Sequence, residues 1–328
     1  MASPRAQLAA AVRNGLLRPG PDDTYADGDD ATWMDVDWLG LQRRMELLGR
    51  QVNVLDTGPV QDGGTPLVFI HGWSSNWQSW LLTIPAFMDT RRCIALDLPG
   101  FGGSDMPSEP ISIQGYARTV DAMCAALGVD RVAVVGNSMG GFVGAELALA
   151  FPTLVERLVL VSAAGLSITE IPARPVRAAA AMFAMAQPRL ARLDRTIAKR
   201  PRLRRAAMQG VVRYPERLSA ALAYELMLGS GKPGFVPAFD ALTSYDFKDR
   251  LADIEIPVLL VWGENDMLVP VVDSSRYQRM IGPNARRVVF SDTGHVPMIE
   301  RPSRFHELLS EFLAGDPTPE SEIEGVSV

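Results

Sequence analysis

Cysteine and histidine are scarce in this chain of 328 residues: there are two of the first and three of the second. Cys93 and Cys124 fall at a predicted strand and in a predicted helix, and two thiols build neither a disulfide framework nor a zinc cluster. Buried reduced thiols, as in a cytoplasmic protein, are the expectation. No apolar run approaches the roughly 18 residues of a membrane span. The opening stretch M-A-S-P-R-A-Q-L-A-A-A-V-R-N has no sustained apolar core before Arg13 interrupts it, so a secretory signal is not expected and the cytoplasm is. Net positive charge is also missing. The balance is −6, which removes the general electrostatic reason to expect a nucleic-acid partner. With 47% hydrophobic and 21% charged residues, what remains is a globular chain long enough for one large domain with an insertion, or for two small ones.

What is present is an alternation. Residues 1–40 read as an N-terminal extension, with a short helix near Gln7 to Leu17 followed by a loose acidic connection rich in Gly, Pro and Asp. Gln42 to Leu47 and Gln51 to Asp56, separated by Leu48-Gly49-Arg50, have the pattern of an antiparallel hairpin. Continuous apolar runs then recur at Pro66–Ile70, Cys93–Asp97, Val132–Val135 and Leu158–Val161, as expected of strands covered on both faces. Helical spacing separates them at Ile113–Leu127 and Phe142–Ala150. The same rhythm returns in a strand at Pro257–Gly263, a helix at Ser274–Ile281, a strand at Arg287–Phe290 and a last helix at Arg304–Leu313. Such βαβ repetition predicts an α/β fold with a doubly wound, mostly parallel sheet. The sheet core spans 41–165 and 248–314. Residues 166–247 interrupt it with a pattern that reads as helical throughout, an insertion that makes a lid over the strand ends. Residues 315–328 are expected to form a disordered tail.

The chemistry starts at Gly136-Asn137-Ser138-Met139-Gly140, between a strand pattern and a helix pattern. A hydroxyl on so tight a turn stands clear of the backbone only if the residues two places either side lack side chains, which Gly136 and Gly140 do. Serine needs a base to be a nucleophile at neutral pH, and three histidines allow choice by elimination. His71 ends a strand in a sharp turn and reads as a structural hydrogen-bonding residue. His306 lies in the terminal helix and reads as a solvated surface residue. His295 directly follows the last predicted strand, in the loop layer where sites of parallel sheets form. Asp266 follows the strand before it by a short turn and is the leading acid to orient that base, with Glu264 and Asp292 as alternatives.

Five stretches occur in an order that resembles the α/β-hydrolase superfamily. They are His71-Gly72-Trp73, Asp97 to Ser104 (D-L-P-G-F-G-G-S), Gly136 to Gly140, Gly263-Glu264-Asn265-Asp266 and Gly294-His295. The resemblance runs from about Leu47 to Leu313 apart from the lid. It implies a nucleophile elbow at Ser138 and an oxyanion hole made by the backbone N–H groups of Met139 and Trp73, with neither cofactor nor metal. The stretch G-N-S-M-G-G is similar to hydrolases that cleave carbon–carbon bonds in ring-fission products. Those usually follow the histidine with tryptophan, and here Val296-Pro297 follows. The pattern G-H-x-P-x-x-E-x-P, realised as Gly294 to Pro302, is widespread among carboxylesterases and lipases, and the expected reaction is ester hydrolysis of a small apolar or acyl-chain substrate. Carbon–carbon hydrolysis, a perhydrolase-type activity and a non-catalytic ligand receptor are the alternatives.

The lid adds a charge asymmetry. Between Leu166 and Ala220 there are twelve Arg and Lys against three acidic residues. Ala178 to Ala186 (A-A-A-A-M-F-A-M-A) is apolar and flexible through its methionines. An apolar helix on the site's mouth with arginines facing solvent accounts for both, and docking of the basic lid on anionic membrane or on an acidic substrate group, with the methionine stretch accepting an acyl chain, is the sharper expectation.

Overall fold

β-branched and apolar runs buried on both faces pair into one sheet in this computed structural model, which describes residues 24–27, 31–170, 193–315 and 322–323. The strands are β1 (Gln42–Leu47), β2 (Arg50–Asp56), β3 (Gly64–Ile70), β4 (Arg91–Leu96), β5 (Val132–Asn137), β6 (Val155–Val161), β7 (Val258–Gly263), β8 (Ala285–Phe290) and β9 (Glu322–Ile323). Their order across the sheet is β1-β2-β4-β3-β5-β6-β7-β8-β9. β1 and β2 form an antiparallel hairpin, β2 runs antiparallel to β4, and every later pairing is parallel. The hairpin turn is Leu48-Gly49, both with positive φ (50° and 74°), the conformation that matches strand twist in a two-residue turn.

Helices cover the sheet. In chain order they are α1 (Trp38–Leu41), α2 (Ile84–Phe87), α3 (Ile113–Ala126), α4 (Met139–Ala150), α5 (Asp194–Lys199), α6 (Pro201–Met208), α7 (Ala220–Met227), α8 (Phe235–Ser244), α9 (Val272–Ile281), α10 (Pro297–Glu300) and α11 (Pro302–Ala314). The period-2 alternation of strands divides the core in two. Val68, Ile70, Val132 and Val134 face one cluster with Val120 of α3 and Val143 of α4. Leu67, Phe69, Ala133 and Val135 face the other, with Trp80 and with Phe305 and Leu309 of α11. Ser112 caps α3 by accepting the Gly115 N–H at 3.0 Å, and α11 stops at its C-cap Gly315, whose φ of 83° only glycine adopts cheaply.

β4 lies on one side of β3 and β5 on the other, so the chain reverses direction across the sheet between them. In parallel sheets this switch point opens a crevice at the carboxyl ends of the strands. His71-Gly72-Trp73 follows β3 there, and Ser138 follows β5.

Three expectations need correction. The insertion between β6 and β7 is not helical throughout: a turn and bend over Val211 to Tyr214 separate α6 from a 3-10 turn at Pro215–Arg217, and the Val211 and Arg213 backbone groups contact the His295 loop and Glu300. The connection after the first helix pattern is not loose where it is described, since Tyr25 and Trp33 are buried in the core. The tail supplies Glu322–Ile323 as β9, which pairs with Val288 and Val289 and covers the otherwise open edge of β8. The helix expected near Gln7 to Leu17 and the methionine-bearing stretch Ala178 to Ala186 lie outside the described residues. Among the described residues, no helix is long and apolar enough to cross a membrane.

Candidate active site

Ser138 sits between β5 and α4 with φ 55° and ψ −117°, a conformation that costs a non-glycine residue about 1–3 kcal/mol. The surroundings hold it there. Its N–H donates to the Val161 carbonyl at 2.9 Å, and its own carbonyl accepts from Gly141, Phe142 and Ala164 at 3.0–3.2 Å. A Cβ at Gly136 would overlap the Gly140 carbonyl, and one at Gly140 would overlap the Ile70 carbonyl. The two glycines are therefore needed for close backbone approach, and the turn they allow leaves Ser138 partly exposed amid buried neighbours.

Asp266 and His295 meet. His295 Nδ1 lies 2.8 Å from Asp266 Oδ2, with both side chains almost fully buried. The other carboxylate oxygen, Oδ1, accepts the Leu268 and Val269 N–H groups, each at 2.9 Å. Asp266 is thus fixed by the backbone of its own loop and offers only Oδ2 to the imidazole. With Nδ1–H donating there, the tautomer leaves Nε2 as the ring's acceptor. The alternatives are otherwise engaged. Glu264 accepts the Asp292 N–H at 3.2 Å, and Asp292 accepts from Arg213 Nε at 3.1 Å and from the Tyr214 hydroxyl at 2.9 Å.

Ser138 and His295 are linked through Asn137, whose Nδ2 donates to the His295 carbonyl at 3.2 Å and to the Val161 carbonyl at 3.1 Å. No direct hydrogen bond between the Ser138 hydroxyl and the imidazole forms among the described residues. Catalytic contacts of this kind commonly tighten only when substrate is bound. Trp73 and Met139 flank the serine. A Cβ at Gly72 would lie 3.2 Å from Ser138 Cβ, which puts the H-G-W turn against the elbow, and Met139 opens α4 with an N–H that has no partner in the helix. The Trp73 side chain reaches the insertion: Nε1 donates to the Phe235 carbonyl at 2.7 Å and the indole stacks on the Phe235 ring at 4.1 Å.

His71 and Asp97 build the scaffold beneath this turn. His71 is buried, its Nδ1 donates to the Gly72 carbonyl at 2.7 Å, and its Nε2 accepts the Leu98 N–H at 2.9 Å. Burial holds its pKa below the ordinary histidine value, opposed by the charge of Asp97. Asp97 accepts the Trp77 N–H, the Gly103 N–H and Asn53 Nδ2 at 2.8–2.9 Å, which folds the D-L-P-G-F-G-G-S loop around it. His306 corrects an expectation: it is packed edge-on against Phe87 at 5.9 Å rather than solvated, and burial lowers its pKa to about 4. Glu300, whose role the sequence pattern did not disclose, is fully buried and accepts the N–H groups of Gly294 and Val296 on either side of the histidine. Among the described residues no group of three or more His, Cys, Asp or Glu side chains is arranged to hold a metal.

The alpha/beta hydrolase fold family matches residues 65–302. A 2-hydroxy-6-oxo-2,4-heptadienoate hydrolase of Pseudomonas putida is 30% identical over 292 residues, covering 83% of this chain and 96% of its own length. Among solved structures, an N-acyl homoserine lactone degrading enzyme superposes with a TM-score of 0.64 at 30% identity, over 82% of this chain and 100% of its own. An esterase from a Rhodococcus species superposes with a TM-score of 0.66 at 25% identity, over 84% of this chain and 98% of its own. The sheet order, the strained serine turn at its switch point and these likenesses agree: the chain belongs to the alpha/beta hydrolase fold family, and it is a hydrolase.

Proposed function

We propose that the chain is a serine hydrolase that cleaves a carboxylic ester of an apolar or acyl-chain substrate through an acyl-enzyme. Ser138 attacks the carbonyl carbon while His295 Nε2 takes its proton. The Met139 and Trp73 N–H groups receive the oxyanion, each such donor being worth about 3 kcal/mol in the transition state. His295 then gives its proton to the leaving alcohol, and water, deprotonated by the same imidazole, releases the acid. Asp266 holds the tautomer and stabilises the imidazolium. The carrying observation is the 2.8 Å contact of His295 Nδ1 with an Asp266 whose second oxygen is already committed to backbone. The aromatic wall of Trp73 and Phe235 above the elbow supports an apolar substrate.

A second reading is hydrolysis of a carbon–carbon bond in a ring-fission dienoate, favoured by the 30% identity to the heptadienoate hydrolase over nearly that protein's whole length. A panel of aryl esters of increasing acyl length, run beside such a dienoate, separates the two. Turnover of the esters with kcat/KM at least a hundredfold above the dienoate supports the first; the reverse ranking overturns it in favour of the second.

The buried thiols Cys93 and Cys124, both pushed up to about 12 by burial, fit a reducing compartment, and the cytoplasm is the proposed location. Peripheral contact with anionic membrane is proposed for the lid face bearing exposed Lys199, Arg200, Arg202 and Arg217. Co-sedimentation with anionic but not neutral vesicles, weakened by salt, is expected; equal binding to both would overturn it.

A further inference from the structure

A segment of the N-terminal extension docks on Glu300, the glutamate that holds the His295 loop. Tyr25 is buried at 3% exposure, and its hydroxyl donates to Glu300 Oε2 at 2.6 Å while accepting the Tyr214 N–H at 2.9 Å. The adjoining backbone docks as well: the Ala26 N–H donates to the Glu300 carbonyl at 2.9 Å. Arg301 Nη1 donates to the Thr24 hydroxyl at 2.7 Å and lays its guanidinium over the Tyr25 ring at 5.1 Å. The tyrosine and the glutamate are 275 positions apart in sequence.

Glu300 in turn has its donors distributed with a purpose. Gly294 and Val296, the two neighbours of His295, give it their N–H groups at 3.0 and 3.3 Å. Arg213, in the non-helical stretch that follows α6 in the insertion, gives it an N–H at 2.8 Å. Val211 of the same stretch accepts the His295 N–H at 2.8 Å. The histidine loop is thus gripped on its flanks by one carboxylate and at its centre by the insertion, and among the described residues that carboxylate has a single side-chain donor, the Tyr25 hydroxyl.

We propose that Tyr25 is a positioning residue for the His295 base, acting through Glu300, so that the N-terminal segment sets the register of the histidine loop against the insertion. This rests on the reading of His295 as the base. The physical cause is desolvation. A fully buried carboxylate keeps its charge only while enough donors face it, and burial already drives Glu300 toward the neutral acid against the pull of Tyr25, Arg213, Gly294 and Val296. Without the phenol one donor is lost and burial draws the carboxyl further toward the neutral acid, whose O–H faces the N–H groups of Gly294, Val296 and Arg213 where a lone pair stood, and the loop that carries the imidazole shifts. A misplacement of an ångström at a base is enough to cost about a hundredfold in rate, so partial displacement costs about tenfold.

The test compares the full-length chain with Tyr25→Phe and Glu300→Gln. Tyr25→Phe keeps the ring that packs on Tyr214 at 5.2 Å and removes only the hydroxyl. The readouts are kcat and KM on a short aryl ester, the rate of labelling by a fluorophosphonate probe, and the melting temperature. For both variants, kcat and the labelling rate are expected to fall together by about tenfold, with KM within twofold and the protein folded at the assay temperature. A merely structural role would lower the melting temperature and leave kcat and labelling within twofold of wild type, which overturns the proposal. If Tyr25→Phe does not fold, Glu300→Gln carries the same decision. Wild-type protein that takes no label instead overturns the serine-hydrolase reading itself, and this inference with it.

Discussion

Replacing Asp266 by asparagine changes one oxygen for an amide and should reverse the imidazole. The wild-type carboxylate accepts three N–H groups: Leu268 and Val269 on Oδ1 and His295 Nδ1 on Oδ2. Asparagine has one acceptor oxygen, so its NH2 must face either the two backbone donors or the imidazole. Facing the backbone pair sacrifices two buried hydrogen bonds, at about 1–3 kcal/mol for each donor left unsatisfied. Facing the imidazole sacrifices none, provided the ring proton moves from Nδ1 to Nε2. The second arrangement wins, and it presents Ser138 with an N–H where an acceptor is needed. The loss expected in kcat is about three to four orders of magnitude, or roughly 4–5.5 kcal/mol, with KM nearly unchanged because ground-state contacts are untouched. Stopped-flow hydrolysis of an aryl ester, with thermal melting to confirm the fold, measures this. Glu264→Gln, altering an exposed neighbour in the same loop, is expected to stay within threefold. Asp266→Asn activity within tenfold of wild type would refute the assignment of the acid.

Three other outcomes follow from the packing. Gly140→Ala drives a methyl group into the Ile70 carbonyl and should cost about 3 kcal/mol or more in chemical denaturation, or yield insoluble protein; a loss below 1 kcal/mol would contradict the close approach. Asn137→Ala removes the tether from the elbow to the His295 carbonyl. It should cost about 2 kcal/mol of stability and several-fold in kcat, and an unchanged kcat would show that the tether does not position the base. His306 has a folded pKa of about 4 and an unfolded value near 6.5, so the unfolded chain binds the extra proton between those pH values. Stability is therefore lost as pH falls from about 6.5 to about 4, by about 2 kcal/mol for a half-buried group. His306→Leu should flatten that part of the profile relative to wild type in paired denaturation curves, and parallel profiles would contradict the burial of its imidazole.

Strands were legible because their burial is written locally. Val132 to Val135 and Leu158 to Val161 are continuous apolar runs, and strands covered on both faces need nothing else to be recognised. The elbow was legible for a related reason: the demand for absent side chains at Gly136 and Gly140 is set by residues within a few positions. His306 was misread because helical periodicity gives a residue's angle around its own helix and not what packs there, and Phe87 comes from α2, far upstream. Tyr25 was hidden in the same way. Its surroundings in sequence are turn-forming and acidic, and its partners Tyr214 and Glu300 belong to other parts of the chain. Glu300 stood in a pattern that could be read, but its task of holding the Gly294 and Val296 N–H groups is a matter of three-dimensional donor geometry.

The central claim is that Ser138 is the nucleophile, and peptide-mapped mass spectrometry after treatment with a fluorophosphonate tests it most directly. One adduct per chain is expected, on the peptide containing Ser138, formed in wild type and absent in Ser138→Ala, with hydrolysis of aryl esters abolished in step. No adduct on that peptide, together with undiminished turnover by Ser138→Ala, would contradict it.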